Sequence, residues 1–169
     1  SRGMHLIWSP RSNISLYGDT APIALLVHMG VPIALGTDWL PSGSMNMLRE
    51  LQCADAFNAN NLGGLLSTRD LWLMATRNAA SALDVDQQLG ELATGFVADV
   101  TVFANSNPDP FASVIRAAPE NVLLVMRGGK PLYGELAMTQ MLADTCEPMT
   151  VCGANKAVCL QGDVGESLA

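Results

Sequence analysis

Charge and histidine are what this 169-residue chain has least of. Charged residues make up 15%, against about 25% in an ordinary soluble domain, and His5 and His28 are its two histidines. It has no basic run, and 9 Lys and Arg against 16 Asp and Glu leave a formal charge of −7. Such a chain repels phosphate, so no nucleic-acid partner is expected. A clean apolar run is missing as well. The most apolar window, residues 21–35, is interrupted by Pro22, His28, Gly30 and Pro32, whereas a bilayer span needs about 20 apolar residues. No membrane partner is expected either. No Gly-rich turn follows the first apolar run, which removes a dinucleotide-binding reading. The chain opens Ser1-Arg2-Gly3 without a leader of charged then apolar residues, and reads as one that begins mid-fold. What it does have is 49% hydrophobic residues, with 15 Gly and 9 Pro as punctuation. That composition excludes disorder and predicts a core-rich protein with some of its surface normally covered.

Met4 to Trp8 is short and apolar and is closed by Pro10, which suits a strand buried on both faces. Residues 9–20 read as a turn-rich loop. A helix from about Ala21 to Met29 ends at Gly30, and Val31 to Leu35 reads as a second buried strand. Strand, helix and strand in that order imply a right-handed crossover and parallel pairing. Helices follow at about Met45 to Asn58 and Thr68 to Leu83, the second capped by Ser67 with Asp70 in its first turn. Beyond Asp84 the texture changes to strand-like runs: Gly90 to Thr94, Asp99 to Ala104, Val122 to Arg127 and Pro131 to Tyr133. Gly128-Gly129 makes a hairpin of the last two. Short helices are expected near Pro110 to Ala117 and Glu135 to Leu142.

Asp38 is the leading site candidate. It follows the second apolar strand in Gly36-Thr37-Asp38-Trp39, and C-terminal strand ends carry the active sites of parallel α/β folds. A carboxylate there can ligate a metal, act as general base, or simply cap a turn.

An ordered series of short runs sharpens this. Trp8-Ser9-Pro10-Arg11-Ser12-Asn13, Leu16-Tyr17-Gly18, Gly36-Thr37-Asp38-Trp39 and Pro41-Ser42-Gly43-Ser44 resemble the end of the metal-dependent amidohydrolase barrel. The match is closest to chlorohydrolase and deaminase-like members. Ala75-Thr76-Arg77-Asn78-Ala79-Ala80, Leu89-Gly90-Glu91 and Ala98-Asp99-Val100 resemble the family's last barrel helix and its return to a small β domain. The resemblance implies an α/β fold: the C-terminal segment of an eight-stranded (β/α) TIM barrel over residues 1–85, a small, mainly antiparallel β domain over 86–145, and a cysteine-containing tail over 146–169. It implies that Asp38 is both catalytic residue and metal ligand, taking a proton from metal-bound water that attacks a C–N centre. It also implies substrate-side roles for Ser12 and Asn13, which either brace the rim or contact substrate. Arg11 either forks onto a substrate carboxylate or makes a structural ion pair. Trp39 and Ser42 flank the site and are expected to line a pocket. The partner implied is a small-molecule substrate. The cofactor implied is a divalent metal, zinc ahead of iron or nickel.

The departures from the family pattern bear on completeness. The His-x-His of the first barrel strand and the middle-strand Lys or His ligands are absent; His5 lies in an apolar strand and His28 on a crossover helix. One Asp cannot hold a catalytic zinc, which takes three protein ligands, and two strands cannot close a barrel. The chain is therefore expected to be the C-terminal portion of an amidohydrolase, inactive alone and without metal of its own. It would need the N-terminal part of the barrel as partner and would self-associate without it. The alternative is a non-catalytic assembly piece. Among the four cysteines, Cys53 lies on a predicted helix and three lie in the tail. A disulfide such as Cys152–Cys159 would close a loop there and leave one cysteine over to pair with Cys53 or with something upstream, the alternative being free buried thiols. A disulfide favours an exported protein.

Overall fold

The computed structural model describes residues 3–161 with Gly165 and Ser167; the end of the tail expected over 146–169 lies outside the described residues. Two compact units are present, Ser1–Glu91 with Val114–Arg116, and Leu92–Ser113 with Ala117–Ala169.

In the first unit, β1 (Leu6–Trp8) and β2 (Ile33–Leu35) pair in parallel, with Leu6 opposite Ile33 and Trp8 opposite Leu35. The segment expected to be a loop between them is helical. Helix α1 (Pro10–Tyr17) starts on a proline whose fixed φ suits a first turn, and Gly18 ends it at φ 70 by donating its N–H to Ile14 O. Helix α2 (Ile23–His28) completes the crossover. Strand β1 is not buried on both faces as expected: Trp8 is fully enclosed, but Ile7 is 53% exposed. Ile33, Ala34 and Leu35 are all buried.

Helix α3 (Met47–Asn61) follows, capped by Asn46, whose side chain accepts the Arg49 N–H. The single long helix expected after Ser67 is two. Helix α4 (Thr68–Met74) has the reciprocal Ser67/Asp70 capping box. It stops where Thr76 leaves helical geometry (φ −125, ψ −99) and turns its hydroxyl back onto Trp72 O. Helix α5 (Arg77–Ala82) then follows. Trp8, Ile23, Leu35, Leu51, Leu71 and Ile115 form the core of the unit. Gly90 packs so tightly on α5 that a Cβ would approach Ala80 Cβ to 2.7 Å. No strand forms over Gly90 to Thr94, contrary to expectation.

The second unit is an antiparallel sheet of five strands in the order β3-β4-β5-β7-β6. These are β3 (Val100–Phe103), β4 (Val122–Arg127), β5 (Lys130–Glu135), β6 (Glu147–Val151) and β7 (Ala154–Val158), with helix α7 (Leu136–Leu142) and the first four residues of helix α6 (Pro110–Ile115), whose last two belong to the first unit. Gly128 and Gly129, both at positive φ, turn the β4–β5 hairpin. Asp99 has a purely structural place, accepting the Gly128 N–H at 2.7 Å.

The cysteine-bearing segment is part of this sheet rather than an appendage. Its disulfide joins Cys146 to Cys159, not Cys152 to Cys159. Register explains the difference. Glu147 pairs with Val158, so the residues just beyond them, Cys146 and Cys159, face each other at the open end of the hairpin. Cys152 sits in the turn at the other end with Gly153, both at positive φ. No helix among the described residues is long and apolar enough to cross a membrane.

Candidate active site

Parallel strands deliver their following loops to the same end of the sheet, and here that end gathers Ser12 and Asp38. Gly36 extends the ladder, donating its N–H to Trp8 O at 2.9 Å, and passes so close to β1 that a Cβ would lie 2.8 Å from Ile7 Cγ2. Two residues later the chain turns at Asp38, one of three non-glycine residues at positive φ (55°) among the described residues. Aspartate tolerates the left-handed region better than most residues, yet such a conformation persists only where surrounding contacts impose it.

Those contacts form a tight loop. Ser42 and Gly43 donate backbone N–H groups to Trp39 O at 3.1 and 2.7 Å, and Ser44 N–H donates to Thr37 O at 3.1 Å. A side chain at Gly43 would collide with Thr37 O, so only glycine closes the turn this way. Asp38 itself is exposed.

The residues expected beside substrate occupy varied positions. Ser12 is fully buried; its hydroxyl donates to Asp38 Oδ2 at 2.5 Å and lies 3.0 Å from Ser42 Oγ. Ser42 is buried as well. Asn13 points into a structural chain: its Oδ1 accepts from Thr20 Oγ1 at 3.0 Å, and that hydroxyl accepts from Trp8 Nε1 at 2.8 Å. The Trp8 ring meets Phe57 edge-on at 5.8 Å. Arg11 makes no ion pair among the described residues. Its Nε donates to Ser44 Oγ at 2.8 Å and its Nη2 to Arg49 O at 3.5 Å, so the guanidinium clasps the Asp38 loop to the start of α3. Trp39 stands 68% exposed beside Asp38. The structure thus brings Asp38, Ser12 and Ser42 into one hydrogen-bonded group, with Arg11 behind the loop and Asn13 turned toward the core.

Sequence reasoning missed three supports. Glu50 is fully buried; Oε1 accepts the Arg11 backbone N–H at 3.2 Å, while Oε2 has no hydrogen-bond partner among the described residues. Its neighbour Arg49 and its helical setting look like a solvated face, and nothing in the sequence marks it. Ser44 is the clasp for Arg11. Asn78 Nδ2 donates to Ile33 O at 2.9 Å and ties β2 to α5; its place in the run Ala75 to Ala80 was the available signal. Burial pushes the Cys53 thiol above its usual pKa, with Arg11 pulling the other way and Glu50 adding to the rise. A thiol so held is a poor nucleophile.

The donor set is small. Among the described residues no group of three or more His, Cys, Asp or Glu could hold a metal ion. Asp38 offers one exposed carboxylate, which fits a single place in a coordination shell and not a whole one.

The amidohydrolase family model matches residues 5–132. A 5-methylthioadenosine/S-adenosylhomocysteine deaminase of Teredinibacter turnerae is 41% identical over 101 residues, covering 58% of this chain and 23% of that protein. A 5'-deoxyadenosine deaminase of Methanothermobacter thermautotrophicus is 30% identical over 151 residues, covering 82% of this chain and 35% of the relative. Among solved structures, an adenosine deaminase from Xanthomonas campestris with bound zinc superposes with a TM-score of 0.64 at 26% identity, over 73% of this chain and 30% of that one. The chain therefore spans about a quarter to a third of these relatives. With the family model matching well over half of it, the chain belongs to the amidohydrolase family.

Proposed function

We propose that this chain supplies the proton-accepting aspartate of a metal-dependent amidohydrolase that hydrolyses a C–N bond of a small molecule. We read the first unit as the closing segment of a (β/α) eight-stranded barrel and the antiparallel sheet as the accompanying β domain. The observation that carries the reading is Asp38, exposed at the C-terminal end of β2 and held in a left-handed turn.

Asp38 would contribute one ligand or stand beside the metal, and the other ligands would come from chain outside this sequence. When bound, a divalent metal, zinc in the first instance, supplies a water that ionises near neutral pH. Ser12 donates to Asp38 Oδ2, and we assign the taking and returning of the proton to Oδ1, the oxygen without that bond. Trp39, exposed beside it, lines the substrate side and limits bulk water. The Arg11 clasp keeps the loop seated and stands behind the site rather than in it. Deaminases of adenosine-type nucleosides among the relatives support an exocyclic amine as the group released. The Cys146–Cys159 disulfide supports an oxidising compartment, hence export.

Ammonia release from a panel of aminated purine nucleosides, by zinc-loaded protein containing the whole barrel, tests the reading. The expected result is metal-dependent release from at least one of them, abolished by chelation. Metal-loaded protein that cleaves no C–N bond across nucleosides, amides and cyclic amidines would overturn it. The exposed Ile7 on β1 also supports the expectation that this chain by itself self-associates.

A further inference from the structure

Ser12 carries a hydroxyl that the proposed chemistry does not use and that solvent does not reach. Its residue is fully buried, so the hydroxyl does not touch a substrate in this arrangement. It has two contacts. It donates to Asp38 Oδ2 at 2.5 Å, and its oxygen lies 3.0 Å from Ser42 Oγ, itself on a buried residue. A serine hydroxyl has one proton. With that proton given to the carboxylate, Ser12 can only accept at the Ser42 contact, and the single Ser42 proton is shared between Ser12 at 3.0 Å and Trp39 O at 3.5 Å. The Ser12 hydroxyl is thus committed to Asp38.

The origins of these groups matter. Ser12 comes from the first turns of α1, after β1, and is held there by Glu50, which accepts the Arg11 N–H one residue earlier. Asp38 and Ser42 come from the loop after β2. The hydrogen bond thus joins two strand-end segments 26 residues apart and sets the rotamer of an exposed carboxylate on a strained backbone. A charge-assisted bond of this kind is among the stronger ones available.

We infer that Ser12 is a positioning residue for Asp38 and not a substrate contact. Ser12 holds Oδ2 so that Oδ1 faces the reacting centre. The inference rests on Asp38 being the functional carboxylate. Groups that orient a metal-site ligand from behind typically change metal affinity or activity by about 10–100-fold when removed.

The test is Ser12→Ala in zinc-loaded protein with the whole barrel, read by steady-state kinetics and by zinc dissociation into a chelator. Expected is a fall in kcat of about 10–100-fold with KM changed less than about twofold, together with faster zinc loss. Ser12→Cys, close in volume and a weak donor, should behave the same way and serves where the alanine variant does not fold. Ser42→Ala should show a smaller change in the same direction. A raised KM with kcat intact would make Ser12 a substrate contact and overturn the inference. Unchanged kinetics and zinc retention in both Ser12 variants would overturn it too. Asp38→Asn run alongside separates the levels. If that variant is inactive while the Ser12 variants match wild type, only the Ser12 inference fails. If Asp38→Asn is itself active, the functional reading fails.

Discussion

Asp38→Asn should lower kcat for C–N hydrolysis by about 10²–10⁴-fold, the usual contribution of a positioned acid or base, while leaving the fold intact. Asparagine is nearly isosteric and tolerates the left-handed φ of 55° that the turn requires. Its side-chain oxygen can still accept the Ser12 hydroxyl. What it cannot do is take a proton or offer a charged oxygen to a metal. Steady-state ammonia release and thermal unfolding of the same samples check both halves. Near wild-type turnover would remove Asp38 from the mechanism, and a large loss of stability would show its role to be structural.

The largest effect on stability is expected far along the chain, at Lys156. It lies on β7 with no exposed surface. Its ammonium donates to Glu120 O at 2.7 Å and Val122 O at 2.9 Å, and pairs with Glu135 Oε1 at 2.5 Å. All three donor protons are used, so the charge is fully compensated. Lys156→Ala would leave two carbonyls and a carboxylate without their donor and open a cavity. Glu135 is 35% exposed and can rehydrate, so the cost comes from the cavity and the two carbonyls left without a donor, about 2–5 kcal/mol, a large share of the roughly 5–15 kcal/mol that stabilises a domain. Lys156→Met, which fills the space, should cost less than alanine. Hydrogen exchange across β4, β5 and β7 reports the change directly. A loss below about 1 kcal/mol in the alanine variant, the level of an exposed pair, would contradict this account of the sheet.

The position of Asp38 at the end of β2 was legible because its signal is local: an apolar strand that stops, followed at once by a carboxylate. Val122 to Arg127 was legible for the same reason, with Gly128-Gly129 marking its end. Helix α1 was not, because Ser9, Pro10, Ser12 and Asn13 have turn chemistry. Proline at the first helical position and Gly18 after the last were the clues that outweighed it. Ser12 could be named but its role stayed open, since burial is set by residues of other elements. Lys156 was invisible: a charged residue in a polar segment reads as surface, and only the carbonyls of Glu120 and Val122 turn it into an interior anchor. The disulfide was misassigned by spacing because strand register, not separation along the chain, decides which cysteines meet.

The most direct test of the central claim is zinc anomalous scattering from crystals of the protein with its whole barrel. The account predicts a single strong peak at the C-terminal end of β2. Asp38 should coordinate the ion at about 2.0–2.2 Å or hydrogen-bond its water at about 2.6–2.8 Å. A fully occupied zinc with the Asp38 carboxylate out of reach of both metal and water would contradict it.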